Sequence, residues 1–244
     1  MRTVKLTIEY DGTLYHGWQV QLGVITIQGT LQECLSRLLG HPVCVHGSGR
    51  TDAGVHAKGQ TAHFRTGNSL PPAVIMRALN ALLPDDIAIL EAEEMHSSFH
   101  AQFDAKEKEY CYYLFHQPKR SPLNCRYALH FPEPLDLDQM RATLVELEGT
   151  HDFFALSTAS EEKENTIRTI TKAELKDEDP FLIITIRGEG FLHKMVRRIV
   201  GTLLEVGIRK ISAVQVAQIL QTRDKNLAGP TVPPHGLFLM SVRY

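Results

Sequence analysis

Gly47-Ser48-Gly49-Arg50-Thr51-Asp52-Ala53-Gly54-Val55-His56 joins two stretches that read as short strands, Val43–His46 and Lys58–Arg65. It sets one carboxylate, Asp52, on a glycine-flanked loop directly after an arginine and a threonine. Glycine lets a backbone turn tightly and lie close to a ligand. A carboxylate withdrawn from water has to be paired, or it takes up a proton. Two phosphate-binding templates come close and fail. The dinucleotide fingerprint G-x-G-x-x-G needs glycine where Asp52 stands, and the P-loop needs Lys and Ser or Thr where Val55 and His56 stand. An aspartate inside a phosphate cradle also repels the phosphates. The loop therefore presents Asp52 as a reactive group, or it is a turn whose aspartate caps a neighbouring amide. Spacing alone leaves both readings open.

Outward from this loop, the first hundred or so residues alternate strands and helices. Residues 3–10 alternate as a strand that Asp11-Gly12 ends. Thr26 to Leu39 reads as a helix capped by Thr26, with Ile27, Leu31, Leu35 and Leu38 at helical spacing. A second helix runs over 70–82, with Pro71 and Pro72 tolerated in its first turn, and 87–94 reads as a strand. A second unit follows, with an aromatic-rich strand over 108–116 and a helix over 137–147. Residues 166–175 and 181–187 form a hairpin. A long helix covers 191–206, a helix capped by Ser212 covers 212–221, and a closing strand covers 236–242. The order implies two α/β units, 1–104 and 105–244, with largely antiparallel sheets.

The 244 residues are 43% hydrophobic and 22% charged, ordinary values for a globular protein. Arg2, Lys5 and Glu9 leave no apolar signal core, and no later run is long enough to span a membrane. Four cysteines without a C-x-x-C pair read as reduced thiols of a cytoplasmic protein. The net charge of −2 argues weakly against a nucleic-acid partner, but distribution matters more than the sum. Between Arg187 and Lys210 stand six basic residues and two acids, a stripe able to face phosphates. From Glu161 to Asp179 acids dominate, as in a solvated loop and hairpin.

Distant residues offer Asp52 partners. His193 and Arg197 are four apart on the expected long helix and share a face. An Arg197 guanidinium reaching Asp52 would hold it ionised and aimed, although Arg197 and Arg198 can equally be solvated or touch phosphates. Tyr110 and Tyr112 share a strand face, where a ring can stack on a nucleobase or fill the core. His41, Cys44 and His46, with His56 and His63 to recruit, are zinc-binding types. They lack the second ligand pair of a structural site, so no metal is expected. The zinc deaminase signature is absent.

Gly49-Arg50-Thr51-Asp52-Ala53-Gly54-Val55-His56-Ala57 resembles the catalytic-aspartate motif of the TruA family of tRNA pseudouridine synthases. Tyr10-Asp11-Gly12-Thr13, Gly17-Trp18-Gln19 and Gln28-Gly29-Thr30-Leu31 resemble its opening blocks, and Tyr110-Cys111-Tyr112 its Tyr-x-Tyr strand. Phe191 to Arg197 with Gly201 is similar to its late basic helix. Ala228-Gly229-Pro230-Thr231, Pro234 and Gly236-Leu237 are similar to its closing signature. The resemblance implies an α+β pseudouridine synthase fold, with two α/β units of mainly antiparallel mixed sheets, flanked by helices around a central cleft. It implies conversion of uridine to pseudouridine at positions 38, 39 and 40 of the tRNA anticodon stem-loop. The enzyme implied is a homodimer without metal, nucleotide or other cofactor. It further implies Asp52 as nucleophile, Tyr110 stacked on the flipped uracil and Arg197 paired with Asp52. Arg50, Thr51, His56 and His193 join Tyr110 in binding substrate. Two departures stand out: Cys111 occupies a position often basic in the family, and Glu107 and Glu109 make the strand flank more acidic. Weighed against this reading are a non-catalytic RNA-binding protein on the same fold, a related synthase with other uridine targets, and a metal-dependent hydrolase built on His41, Cys44 and His46.

Overall fold

The structure is a computed structural model, and it describes residues 1–160 and 165–244. The start of the acidic run, 161–164, lies outside the described residues. The strands are β1 (Arg2–Tyr10), β2 (Val45–Gly47), β3 (His56–Thr66), β4 (Ile87–Met95), β5 (Glu107–Phe115), β6 (Leu129–His130), β7 (Gly149–Asp152), β8 (Ile167–Glu178), β9 (Phe181–Gly188) and β10 (Leu237–Arg243). The helices are α1 (Ile27–Leu39), α2 (Pro72–Leu82), α3 (Leu137–Glu146), α4 (Met195–Gly207) and α5 (Ala213–Thr222). The chain is thus mixed α/β with mainly antiparallel pairing.

The chain divides into two compact units. The first comprises Met1–Lys106 and Phe238–Tyr244, so the end of the chain groups with the aspartate loop rather than with the residues just before it. Its centre is β1, antiparallel to β3 on one side and to β4 on the other. Val4, Leu6 and Ile8 alternate along β1 and are completely buried, as the strand period of two demands. Ile27, Leu31 and Leu35 of α1 and Ile75 and Leu79 of α2 are likewise inaccessible to solvent, and α1 packs on α2 and α2 on β4. Thr26 caps α1 by accepting from the Gly29 N–H, and Gly40 in left-handed conformation ends it. β3 also takes β10 parallel at His56 and Ala57, and β2 antiparallel from Ala62 to Phe64.

The second unit spans Glu107–Leu237. Its sheet runs β5-β9-β8-β7, antiparallel throughout, and the short β6 adds parallel to β5. The expected hairpin is present as β8 and β9. α3 packs on β8, α4 and α5, and Met140, Leu144, Ile199, Val200, Leu203, Val216 and Ile219 are buried there. Ser212 and Gln215 form a reciprocal capping box at the start of α5.

One element begins later than its apolar spacing predicts. The long helix starts at Met195 rather than Phe191, because Lys194 adopts a left-handed backbone, φ 58° and ψ 13°. His193 therefore precedes the helix and does not share a helical face with Arg197. Tertiary bonds hold it instead: the Thr158 N–H donates to the His193 carbonyl at 3.0 Å, and the Thr158 hydroxyl lies 2.7 Å from His193 Nδ1.

Candidate active site

β2 leads into the aspartate loop and β3 leads out of it. Ser48 is fully buried. Its hydroxyl donates to Gln60 Oε1 at 2.8 Å, and Gln60 Nε2 donates back to the Gly49 carbonyl at 3.1 Å. The base of the loop is thereby fastened to β3. Thr51 is fastened from the other side. Its Oγ1 lies 2.8 Å from the Tyr10 hydroxyl, and its carbonyl accepts from the Trp18 N–H at 3.0 Å. Burial pushes the Tyr10 phenol up to about 12, so it stays protonated.

The residues after Asp52 are held as firmly. The Val55 N–H closes a turn onto the Asp52 carbonyl at 3.1 Å, and the Gly54 N–H reaches the Tyr15 carbonyl at 3.3 Å. Gly12 makes this close approach possible: a Cβ there would stand 2.0 Å from the Val55 carbonyl oxygen. On this frame Thr51 is buried, Asp52 half-buried and Arg50 exposed. The side chain of Asp52 thus sits on an over-determined backbone with partial access to solvent. His56 is buried beneath the loop. Its Nδ1 accepts from the Gly12 N–H at 3.1 Å and lies 3.0 Å from Asp11 Oδ1. Its ring stacks on Phe238 with centroids 4.7 Å apart.

The candidate zinc residues go elsewhere. His41 bonds the Pro42 carbonyl and the Thr66 hydroxyl at 3.0 and 3.1 Å, and Cys44 is exposed. His46 stacks on His63 at 5.1 Å, and His63 Nδ1 accepts from the Ala101 N–H at 3.1 Å. Among the described residues no group of three or more His, Cys, Asp or Glu is arranged to hold a metal. None of the four cysteines, all among the described residues, is in a disulfide. No helix among the described residues is long and apolar enough to cross a membrane.

The remaining candidates belong to the second unit. On β5, Tyr110 is 7% exposed and meets Phe191 edge to face at 5.1 Å. Tyr112 is fully buried and donates to the Pro233 carbonyl at 2.8 Å. Cys111, on the other face, lies 3.3 Å from the Thr185 hydroxyl. Arg197 is half-buried in the first turn of α4. Its Nε donates to the Val232 carbonyl at 2.8 Å, and the Val232 N–H donates to the Arg197 carbonyl at 3.3 Å. The chain can pass this close because Gly201, one helical turn on, has no Cβ; one would stand 1.7 Å from the Pro230 carbonyl oxygen. Arg198 donates to the carbonyls of Ser157 and Lys225. The basic stripe shrinks on folding, since Arg187 pairs with Glu109, Arg209 with Asp136 and Lys210 with Glu205. The Glu109 that makes the strand acidic is thus balanced by its cross-strand neighbour. His193 is exposed at the entry to α4.

The model of the family described as tRNA pseudouridine synthase matches residues 6–104 and 144–244, which contain the aspartate loop of the first unit and α4 of the second but not β5. The chain belongs to the tRNA pseudouridine synthase family. Relatives named tRNA pseudouridine synthase A agree over the whole length. That of Geobacter sp. (strain M21) is 46% identical, over 100% of this chain and 99% of its own. That of Exiguobacterium sibiricum is 45% identical over 100% and 97%, and that of Thermoanaerobacter sp. (strain X514) is 41% identical over 100% of both. Among solved structures, one of an H/ACA RNP bound to a substrate RNA containing 2'-deoxyuridine overlaps 82% of this chain and 44% of that chain, with a TM-score of 0.38 and 14% identity.

For a tRNA pseudouridine synthase, several supporting residues carry no chemistry of their own. Tyr10, Trp18 and Gln60 hold the aspartate loop, and Val232 holds Arg197. Tyr10 and Trp18 lie in sequence blocks that mark the family, yet nothing in their spacing says that they touch Thr51. Val232 offers only a backbone carbonyl, which no side-chain pattern can announce.

Proposed function

We propose that this chain converts uridine to pseudouridine at positions 38, 39 and 40 of the tRNA anticodon stem-loop. The observation that carries the reading is its membership of the tRNA pseudouridine synthase family, matched through the loop that presents Asp52. The isomerisation breaks the N1–C1′ bond and forms a C5–C1′ bond. The hydrogen on C5 leaves as a proton and N1 gains one. Composition is unchanged, so no oxidant, reductant or other co-reactant is consumed, and the reading includes no metal or nucleotide cofactor.

Residues 1–104 contribute the aspartate and 105–244 the tyrosine and arginine. Asp52 acts on the nucleotide by attack at C1′ or C6, or by taking a proton. Arg197 pairs with Asp52 and keeps it ionised. A uracil in a stem has to leave the stack first, which costs a few kcal/mol. Stacking on Tyr110 offsets part of that cost. The exposed Arg50 and His193 contact RNA, while the buried Thr51 and His56 hold the loop in place for it. The enzyme acts as a homodimer in the cytoplasm.

Incubation with unmodified tRNA followed by pseudouridine mapping tests activity and position together. Asp52→Ala is expected to bind tRNA with near-normal affinity and to form no pseudouridine. Isomerisation by that variant would remove Asp52 from the chemistry, and pseudouridine outside 38–40 would overturn the position.

A further inference from the structure

Three facing positions line up across β5, β9 and β8: Lys108, Gly188 and Ile170. Directly opposed residues of antiparallel strands share a sheet face, as do residues two apart on one strand. Lys108 therefore stands on the face of Tyr110, about 7 Å along the strand, a distance one nucleotide spans. Arg168, two residues before Ile170, stands on the same face across the gap. Gly188 lets the Phe191 ring lie over the strand between them: a Cβ there would stand 3.2 Å from Phe191 Cζ and 2.6 Å from the Thr169 carbonyl oxygen. Beside it opens a pocket of about 660 Å³, lined by Asn165, Ile167, Arg168, Thr169, Glu189 and Gly190. Phe191, the residue after Gly190 of the lining, packs edge to face on Tyr110.

Charge at the edge of this pocket is unbalanced: Arg168 lines it, and Lys108 stands outside the lining. Lys108 and Arg168 are both half-buried. Among the described residues neither joins an ion pair, although nearby Arg187 and Lys172 each have a carboxylate, Glu109 and Glu174. Burial, then the charge of Arg168, holds the Lys108 ammonium below its usual range, and burial lowers Arg168 as well. The acid of the lining, Glu189, is exposed. Arg168 is anchored through Nη1, which donates to the carbonyls of Asn165 and Ile167 and to Asn165 Oδ1. Those bonds leave the Nε and Nη2 N–H groups to a ligand. Two cations held together out of bulk water repel each other, and an anion between them removes the repulsion. Guanidinium and ammonium groups are the usual donors to phosphate oxygens.

We propose that Lys108 and Arg168 form a subsite for an RNA backbone phosphate beside the nucleotide that stacks on Tyr110. The proposal rests on the functional reading above for the place of that nucleotide. The subsite positions the substrate and takes no part in bond making.

Affinity for an unmodified anticodon stem-loop RNA, measured over a series of salt concentrations, tests it. Removing one cation from a phosphate should lower the slope of log affinity against log salt by about 0.7–0.9. Lys108→Met and Arg168→Gln should each show that decrease, and Lys108→Arg should keep the parent slope. Unchanged slopes in both neutral variants would overturn the subsite. So would loss of thermal stabilisation by inorganic phosphate with RNA slopes intact, which would mark a free-anion site. Without RNA, Lys108→Met should melt no lower than the parent, because a repulsion has been removed; a clear drop would mark a structural role and also overturn the proposal. Pseudouridine formation by the unaltered chain is scored in the same reactions. Its absence alongside slopes that respond to Lys108 would overturn the functional reading and leave the phosphate subsite standing.

Discussion

Arg197 Nε donates to the Val232 carbonyl at 2.8 Å, and the Val232 N–H donates to the Arg197 carbonyl at 3.3 Å. The closing segment of the second unit therefore sets the direction of a side chain on α4. An arginine used for one hydrogen bond at Nε still has its terminal N–H groups in a fixed plane.

Lysine at 197 would keep the charge and lose both the Nε bond and the planar fork. Arg197→Lys is expected to lower single-turnover pseudouridine formation by about a hundredfold, the order seen when one aligned charge-stabilising donor is removed. The affinity for tRNA should change by less than about threefold, because one cation is still present. A rate near that of the parent would show that charge alone suffices.

Tyr110 presents a ring 7% exposed, backed edge to face by Phe191. Stacking needs the ring and not the hydroxyl. Tyr110→Ala should lose about 1–3 kcal/mol of binding to the flipped base, read as a fall of about five- to 150-fold in kcat/KM. Tyr110→Phe separates the roles: near-parent activity assigns Tyr110 to stacking, and a fall as large as that of alanine assigns its hydroxyl to proton transfer.

Gly201 and Pro230 touch where α4 meets the closing segment. A methyl group at 201 would stand 1.7 Å from the Pro230 carbonyl oxygen, so helix and segment must part. Gly201→Ala is expected to cost about 1–3 kcal/mol, the range for overpacking, seen as a lower thermal midpoint. Activity should fall more than stability predicts, because Val232 moves with Pro230. An unchanged midpoint would mean that the segment yields freely.

His63 makes the first unit sensitive to acid. Burial first, then the charges of His100, His46 and Arg65, hold its pKa down to about 4, from an ordinary 6.5. Asp104, which accepts from the His100 N–H, favours that ring's charged form. In the folded chain His63 Nδ1 accepts from the Ala101 N–H, which a protonated nitrogen cannot do. The unfolded chain takes up this proton below about pH 6.5, and the folded chain does so only near 4. Stability from this residue is therefore full above pH 6.5 and declines as the pH falls towards 4, by up to about 3 kcal/mol. Melting temperatures measured from pH 7.5 to 4.5 should fall more steeply for the parent than for His63→Asn. Parallel curves would rule His63 out.

Periodicity made most of the elements legible. Val4, Leu6 and Ile8 alternate because one face of β1 is buried, and Thr26 and Ser212 announce helix starts because their oxygens satisfy otherwise unpaired N–H groups. These are local requirements, written in neighbouring residues. Asp52 was legible for a related reason: a carboxylate among glycines, in a loop that fits no phosphate template, is a chemical oddity within ten residues of chain. The short β6 and β7 carry too few residues to show a period.

Tertiary structure decided what depends on residues far apart in the chain. The left-handed Lys194 shortened α4 and moved His193 off it, since bonds from Thr158 outweigh the helical spacing of Leu192 and Val196. The basic stripe lost Arg187, Arg209 and Lys210 to carboxylates that no sequence window contains. Lys108 and Arg168, 60 positions apart by their numbers, became neighbours only because β9 aligned β5 with β8. Local hydrogen bonding and burial are encoded position by position. The direction of a side chain such as Arg197, and the lack of an ion pair at Lys108 among the described residues, arise only when strands and segments from distant parts of the chain are brought into register.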